Sequence, residues 1–246
     1  MACQTHDWPD MSTISLPRRF ALIPAAGVGT RMSARLPKQY MMLAGKPMLQ
    51  YALDTFAASD LIAHTFVVVS PDDGYIDDML SALPHLQGTV TVLRHGGDSR
   101  QQSVLNGLHE IRTQLADHDW VLVHDAARPL LDNIMLEQLI TAIDGDKVGG
   151  LLALPIVDTL KRSHTGRVQT TVSRDELWAA QTPQMFRYGL LTHALERAMI
   201  RSEAVTDDAS AIEMLGMQPK LVAGNPRNFK VTLEHDIALA EIFLKG

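Results

Sequence analysis

Residues 21–40 read ALIPAAGVGTRMSARLPKQY. An apolar run gives way at Pro24 to small residues and glycine, and only afterwards to cations. Phe20 to Ile23 has the composition of a buried strand, and glycine-rich backbone just beyond a strand can bring several N–H groups close to an anion. Ala25, Ala26, Gly27 and Gly29 leave that backbone open to approach, and Arg31 and Lys38 stand on either side of Pro37. Polyphosphate is the ligand this combination suits. The loop is neither of the two commonest glycine loops. A Walker A loop would put Lys and Ser/Thr directly after its last glycine, where Thr30-Arg31 follows instead, and a dinucleotide fingerprint needs a third small residue where Met32 sits. Taken alone, the stretch also reads as a tight turn with solvated cations.

Outward from this loop, strand-like and helix-like runs alternate. A helix is expected at 47–58, a strand at 64–69, a short helix near 75–83 and a strand at 89–94. Over 99–115, Val104, Leu108, Ile111 and Leu115 recur at helical spacing while Glu110, Arg112 and Gln114 fall on the other face. A strand at 120–124, a helix at 132–143 and a strand at 149–155 continue the pattern. Such alternation with short connections predicts an α/β, Rossmann-like, mostly parallel sheet flanked by helices. Ligands in such sheets bind beyond the carboxyl ends of the strands, where AAGVGTR, GGDSR and DAARP all fall.

Residues 156–175 break the alternation. TLKRS and RVQTTV flank His164-Thr165-Gly166, which predicts a projecting β-hairpin with little apolar surface, a long surface loop being the alternative. Helices near 186–200 and 207–215 follow, then strands at KLVAG and around NFKVT. In the last helix Leu233, Ile237, Ala240 and Leu244 are expected on one face.

Composition limits the function classes. The 246 residues suit one large domain, placed at 18–246, after a polar leader at 1–17 that is expected to be poorly ordered. The net charge of −6, with the basic residues dispersed, lacks the footprint of a nucleic-acid binder. No apolar run approaches membrane-spanning length, and the leader has no basic start or apolar signal core, so a cytoplasmic location is expected. The one cysteine, Cys3, excludes an intrachain disulfide, and the ten histidines show no zinc-binding spacing.

The chemistry then assembles around Asp125 in HDAARP, at the end of a buried strand. A carboxylate there can hold a hard divalent cation whose other ligands are phosphates and water; magnesium suits this best, without excluding other divalent ions. Taken singly, Asp125 also reads as a cap or turn residue and Arg128 as a surface ion-pair partner. With a nucleoside triphosphate along 25–31, Arg31 and Lys38 can neutralise charge developing at the attacked phosphorus and on departing pyrophosphate. Gly97, Asp98 and Ser103 offer groups that can read a base edge, and Ala126 lies beside Asp125.

PAAGVGTRM, LPKQY, GGDSRQQSV, VHDAARP, PIVDTLKR, TVSRDELWAAQTPQMF, TDDASAIE and NFKVT together resemble the 2-C-methyl-D-erythritol 4-phosphate cytidylyltransferases of the non-mevalonate isoprenoid pathway, from about Phe20 onward. The first block is shared widely among nucleotidyltransferases; PKQY, GGxxRxxSV, DAARP and TPQ are much narrower. The resemblance implies transfer of CMP from CTP to a polyol phosphate, magnesium, and a homodimer whose hairpin arms complete each other's sites. It implies that Arg31 and Lys38 stabilise the transition state. Arg174 and Lys230 would position the acceptor phosphate, and Thr159, Thr182 and Thr206 would be acceptor-side hydroxyls. Asp125 and Arg128 would serve the metal and triphosphate end, and Ala25, Ala26, Gly97, Asp98 and Ser103 would surround the cytidine. One departure is visible after NFKVT, where Leu233-Glu234 stands at the place of a usual proline. A cytidylyltransferase for ribitol 5-phosphate and a catalytically silent nucleotide-binding regulator are the rival readings.

Overall fold

Strand β1 (Arg19–Pro24) is apolar through its middle, and Phe20 to Ile23 are buried on both faces, as a central parallel strand requires. The computed structural model describes residues 16–27, 36–201 and 205–245. After β1 come a short 3-10 turn at Lys38–Tyr40 and the small ladder of β2 (Met42–Leu43) and β3 (Lys46–Pro47). Next are α1 (Met48–Ala57), β4 (His64–Val68), α2 (Ile76–Ser81), β5 (Val90–Leu93), α3 (Arg100–Glu110), β6 (Trp120–Val123), α4 (Asn133–Ile143) and β7 (Gly149–Pro155). The hairpin β8 (Leu160–His164) and β9 (Arg167–Val172) precedes β10 (Trp178–Arg187), α5 (Tyr188–Ile200), α6 (Asp208–Glu213), β11 (Lys220–Ala223) and α7 (Glu234–Lys245).

Among the described residues the main sheet has seven strands in the order β11-β7-β10-β6-β1-β4-β5. Leu22 of β1 stands opposite Phe66 of β4 and Val123 of β6, both in parallel register. Because side chains alternate along a strand, Ala21 and Ile23 face one core with Leu49, Phe56, Leu136 and Leu139, under α1 and α4. Phe20 and Leu22 face the other, with Leu108, Leu191 and Leu195, under α3 and α5. Helices therefore cover both faces, as the alternation predicts. A third, smaller cluster of Leu43, Met48, Val231 and Ala240 fastens α7 beside β2 and α1.

Two expectations are corrected, and one strand is added to them. The added strand is β10 at 178–187, the sheet's antiparallel member, inserted between β6 and β7. Its register shifts between Ala180 and Gln184, so the strand bulges where Pro183 cannot donate to the ladder. NFKVT forms no strand. Phe229 and Val231 alternate with polar residues only because both pack on the third cluster, and the Val231 N–H reaches the Ala127 carbonyl at 2.8 Å. Leu233 precedes α7 and is 48% exposed, whereas Ile237, Ala240 and Leu244 do pack together.

The hairpin forms as expected. Among the described residues β8 and β9 pair only with each other, and Thr165 and Gly166 both take positive φ, 48° and 76°, in the two-residue turn that twists with its strands. None of its residues is buried. Among the described residues no helix is long and apolar enough to cross a membrane.

Candidate active site

The loops that follow β1, β4 and β5 are joined backbone to backbone. Ala25 N–H donates to the Val68 carbonyl at 2.7 Å, and Gly96 N–H to the Val69 carbonyl at 2.8 Å. A side chain on Gly96 would meet the Ala26 Cβ at 2.3 Å, so this glycine is what lets the GGDSR loop lie against the AAG loop. Ser103 fixes the next residue: its buried hydroxyl accepts from Gly97 N–H at 3.0 Å and donates to the Ser99 carbonyl at 2.9 Å. Ser99 in turn caps α3 by accepting from Gln102 N–H at 3.0 Å.

These loops enclose a cavity of about 450 Å³. Ala25, Ala26, Gly27, Lys38, Gly97, Asp98, Ser103, Asp125, Ala126 and Lys230 line it, all of them singled out in the sequence. Lys38 is placed by its neighbours. Buried Gln39 donates to the Ala25 carbonyl at 2.6 Å, and the Tyr40 hydroxyl to Asp73 at 2.8 Å, tying the short turn to the first loop and to the loop between β4 and α2. Neither Gln39 nor Tyr40 figured among the expected site residues.

A second compartment of about 250 Å³ adjoins the first and contains Arg128, Thr182 and Thr206. Arg100, Asp125 and Lys230 line both. They are one charged wall: Arg100 Nε donates to Asp125 Oδ1 at 2.8 Å, and Lys230 Nζ to Asp125 Oδ2 at 2.9 Å. Arg128 Nε stands 3.8 Å from the same Oδ2, while its two Nη groups donate to the Asn228 and Ala180 carbonyls. Burial penalises the Asp125 charge, but Arg100 and Lys230 outweigh it and hold the carboxyl well below the usual carboxylate range. Asp125 is therefore an anion at any working pH.

Behind the wall, His124 is fully buried and burial lowers its pKa to about 4. A neutral imidazole has one donor and one acceptor. Nε2 faces the Arg128 carbonyl at 3.1 Å and must donate, leaving Nδ1 to accept from the Thr182 hydroxyl at 3.0 Å. The same hydroxyl accepts from Asp125 N–H at 3.0 Å, so Thr182 holds the backbone of Asp125 in place. Thr206 lies at the exposed mouth of the second compartment.

Not every expected residue gathers here. Thr159 and Arg174 are exposed at the base of the hairpin, where Arg174 Nη1 donates to the Val157 carbonyl, and neither lines either compartment. Gly29, Arg31 and the leader through residue 15 lie outside the described residues. Arg100 is a wall residue that was not among the expected site residues. A signal was present: Arg100 is the first residue of α3, and a cation at the positive end of a helix dipole implies carboxylates that hold it.

For a divalent cation the donor set is thin. Among the described residues no three His, Cys, Asp or Glu side chains converge. Among the described residues Asp125 is the carboxylate on the wall shared by both compartments, and it keeps room for an ion, because a carboxylate has about four acceptor sites and Arg100 and Lys230 take one each. That suits an ion held mainly by phosphates and water and not a cage built by protein alone.

Comparison with known proteins bears on these features directly. The family model described as IspD, 2-C-methyl-D-erythritol 4-phosphate cytidylyltransferase, matches residues 20–246. The 2-C-methyl-D-erythritol 4-phosphate cytidylyltransferase of Cupriavidus pinatubonensis is 50% identical over 236 residues, covering 92% of this chain and 94% of that protein. The one from Paraburkholderia phytofirmans is 52% identical over 233 residues, covering 92% and 96%. Among solved structures, a 4-diphosphocytidyl-2C-methyl-D-erythritol synthase superposes with a TM-score of 0.81 at 39% identity, covering 94% of this chain and 99% of the other. The Francisella tularensis cytidylyltransferase gives 0.77 at 32% identity, covering 92% and 99%.

Proposed function

The chain belongs to the 2-C-methyl-D-erythritol 4-phosphate cytidylyltransferase family, and we propose from this a division of labour between its two compartments. The enzyme transfers CMP from CTP to 2-C-methyl-D-erythritol 4-phosphate in isoprenoid precursor biosynthesis. An oxygen of the acceptor's phosphate bonds to the α-phosphorus of CTP, the bond from that phosphorus to the β-phosphate oxygen breaks, and pyrophosphate leaves with the electron pair. In our reading CTP lies in the larger compartment, its phosphates toward the wall of Arg100, Asp125 and Lys230, and the acceptor enters the smaller one. The observation that carries this is the shared wall, since the two phosphorus centres must meet where the compartments join.

Lys38, and Arg31 by its place in the sequence, neutralise the charge that grows on the transferred phosphoryl group; no nucleophilic side chain is needed. Lys230 and Arg128 attract the acceptor's phosphate, and Thr206 hydrogen-bonds at the mouth. Magnesium accompanying the triphosphate would take Asp125 as its protein ligand and supply further neutralisation of the phosphates. Thr159 and Arg174 cannot serve a compartment they do not line, so the proposal gives them to a second copy: a homodimer in which each hairpin completes the other chain's site. A cytoplasmic setting belongs to the same reading.

The test is pyrophosphate release from CTP with magnesium and one acceptor at a time. Turnover is expected with methylerythritol phosphate and is to be lost on chelation of the metal. Equal or faster turnover with ribitol 5-phosphate would overturn the acceptor assignment, and none with either would favour a silent regulator.

A further inference from the structure

Arg100 leans on two carboxylates. Its Nε holds Asp125 in the wall, and its Nη2 donates to Asp208 Oδ2 at 2.8 Å. Asp208 is wholly buried, lines neither substrate compartment, and its Oδ1 has no hydrogen-bond partner among the described residues. A carboxylate in such a place is expensive: the charge loses water, and the unpaired oxygen regains nothing. Capping does not explain it. Asp207, one residue earlier, is the N-cap of α6, with its side chain accepting from Ser210 N–H at 3.0 Å. Among the described residues, the polar group that the Asp208 side chain engages is the guanidinium of Arg100.

We propose that Asp208 is a positioning residue for CMP transfer, holding Arg100 from behind so that Asp125 keeps the orientation in which it faces Lys230 and both compartments. Arg100 is then stretched between two carboxylates, on the wall that both compartments share. Without Asp208 its whole charge falls on Asp125, drawing that carboxylate away from Lys230. The planar fork of arginine is suited to this, since it presents separate N–H groups to two acceptors at fixed angles. The inference rests on the assignment of Asp125 to the active site.

A double-mutant cycle tests it. Asp208→Asn keeps the shape and removes the charge, and is expected to lower kcat about tenfold while KM for CTP changes less than about threefold. In an Asp125→Asn background the same substitution should lower kcat by less than about twofold, because its effect passes through Asp125. Equal factors in both backgrounds, or an unchanged kcat for Asp208→Asn, would overturn the proposal and leave Asp125 in the site. A normal kcat for Asp125→Asn alone would overturn the assignment of Asp125 and the proposal with it. If Asp208→Asn does not fold, Arg100→Lys is run through the same cycle. It keeps the charge but cannot hold two carboxylates in one plane, and the same pattern of factors is expected, with equal factors overturning the relay.

Discussion

At the scale of single residues, the site is held by groups that do not line up in the sequence. His124 is one of ten histidines, and nothing in its spacing sets it apart. In the fold it is buried and neutral, and its hydrogen bond orients Thr182. Its pKa of about 4 lies below the unfolded value of about 6.5, so in that interval the unfolded chain takes up a proton that the folded chain refuses. Stability contributed by His124 is complete above about pH 6.5 and falls by up to about 1.4 kcal/mol per pH unit down to about pH 4. Urea unfolding of wild type and His124→Gln at pH 7 and pH 5 checks this. Wild type should lead at pH 7 and the gap should narrow at pH 5; a gap that stays constant would mean that His124 does not titrate as argued. Asp125, Lys38 and Ser103 were legible because loop motifs named them. Arg100 and Asp208 were not, since their meaning is a pairing of residues 108 positions apart.

At the scale of elements, the parallel core was readable because its strands are continuous apolar runs between helices of clear period. β10 was not. Gln181, Thr182, Pro183 and Gln184 have the composition of a loop, and the strand survives because its polar side chains are satisfied internally. Gln184 accepts from Ala209 N–H at 2.7 Å and donates to Asp207 at 2.8 Å, and Gln181 donates to the Asn225 carbonyl at 3.0 Å. Propensity describes isolated strands and misses such a network. Helix α3 gives a prediction of the same kind. Gly107 lies in its interior, where alanine would favour the helix by about 1 kcal/mol. Yet a Cβ there would stand 2.6 Å from Val68 Cγ2 and 3.2 Å from Leu22 Cδ1, on the central strands. Gly107→Ala should therefore destabilise by about 1–3 kcal/mol, overpacking outweighing propensity. Equal or greater stability in urea unfolding would show that α3 can lift from the sheet at no cost.

At the scale of the whole molecule, the hairpin is the part that its own chain leaves unexplained. None of its residues is buried, a lone two-stranded hairpin is marginal in water, and Thr159 and Arg174 at its base line neither compartment. If it serves a second copy, Arg174→Ala and Lys38→Ala damage different chains' contributions to one site. Each homodimer should be nearly inactive. Unfolded and refolded together, half of the dimers are mixed, and each of these has one intact site of two, so activity should recover to roughly a quarter of wild type under two-fold symmetry. Refolded wild type controls for losses, and size-exclusion chromatography shows whether dimers form. Mixed dimers without recovery would return Arg174 to its own chain. The last helix carries a different consequence. Ala240 is the only residue of α7 that is wholly buried, with Ile237 and Leu244 partly covered, so lifting the helix uncovers only the small third cluster and neither main core. Elements with few buried contacts open locally at a fraction of the global free energy. Lys230 sits on the loop that leads into α7, and amide hydrogen exchange along 234–245 thus becomes a clock for how often that lysine is released from Asp125.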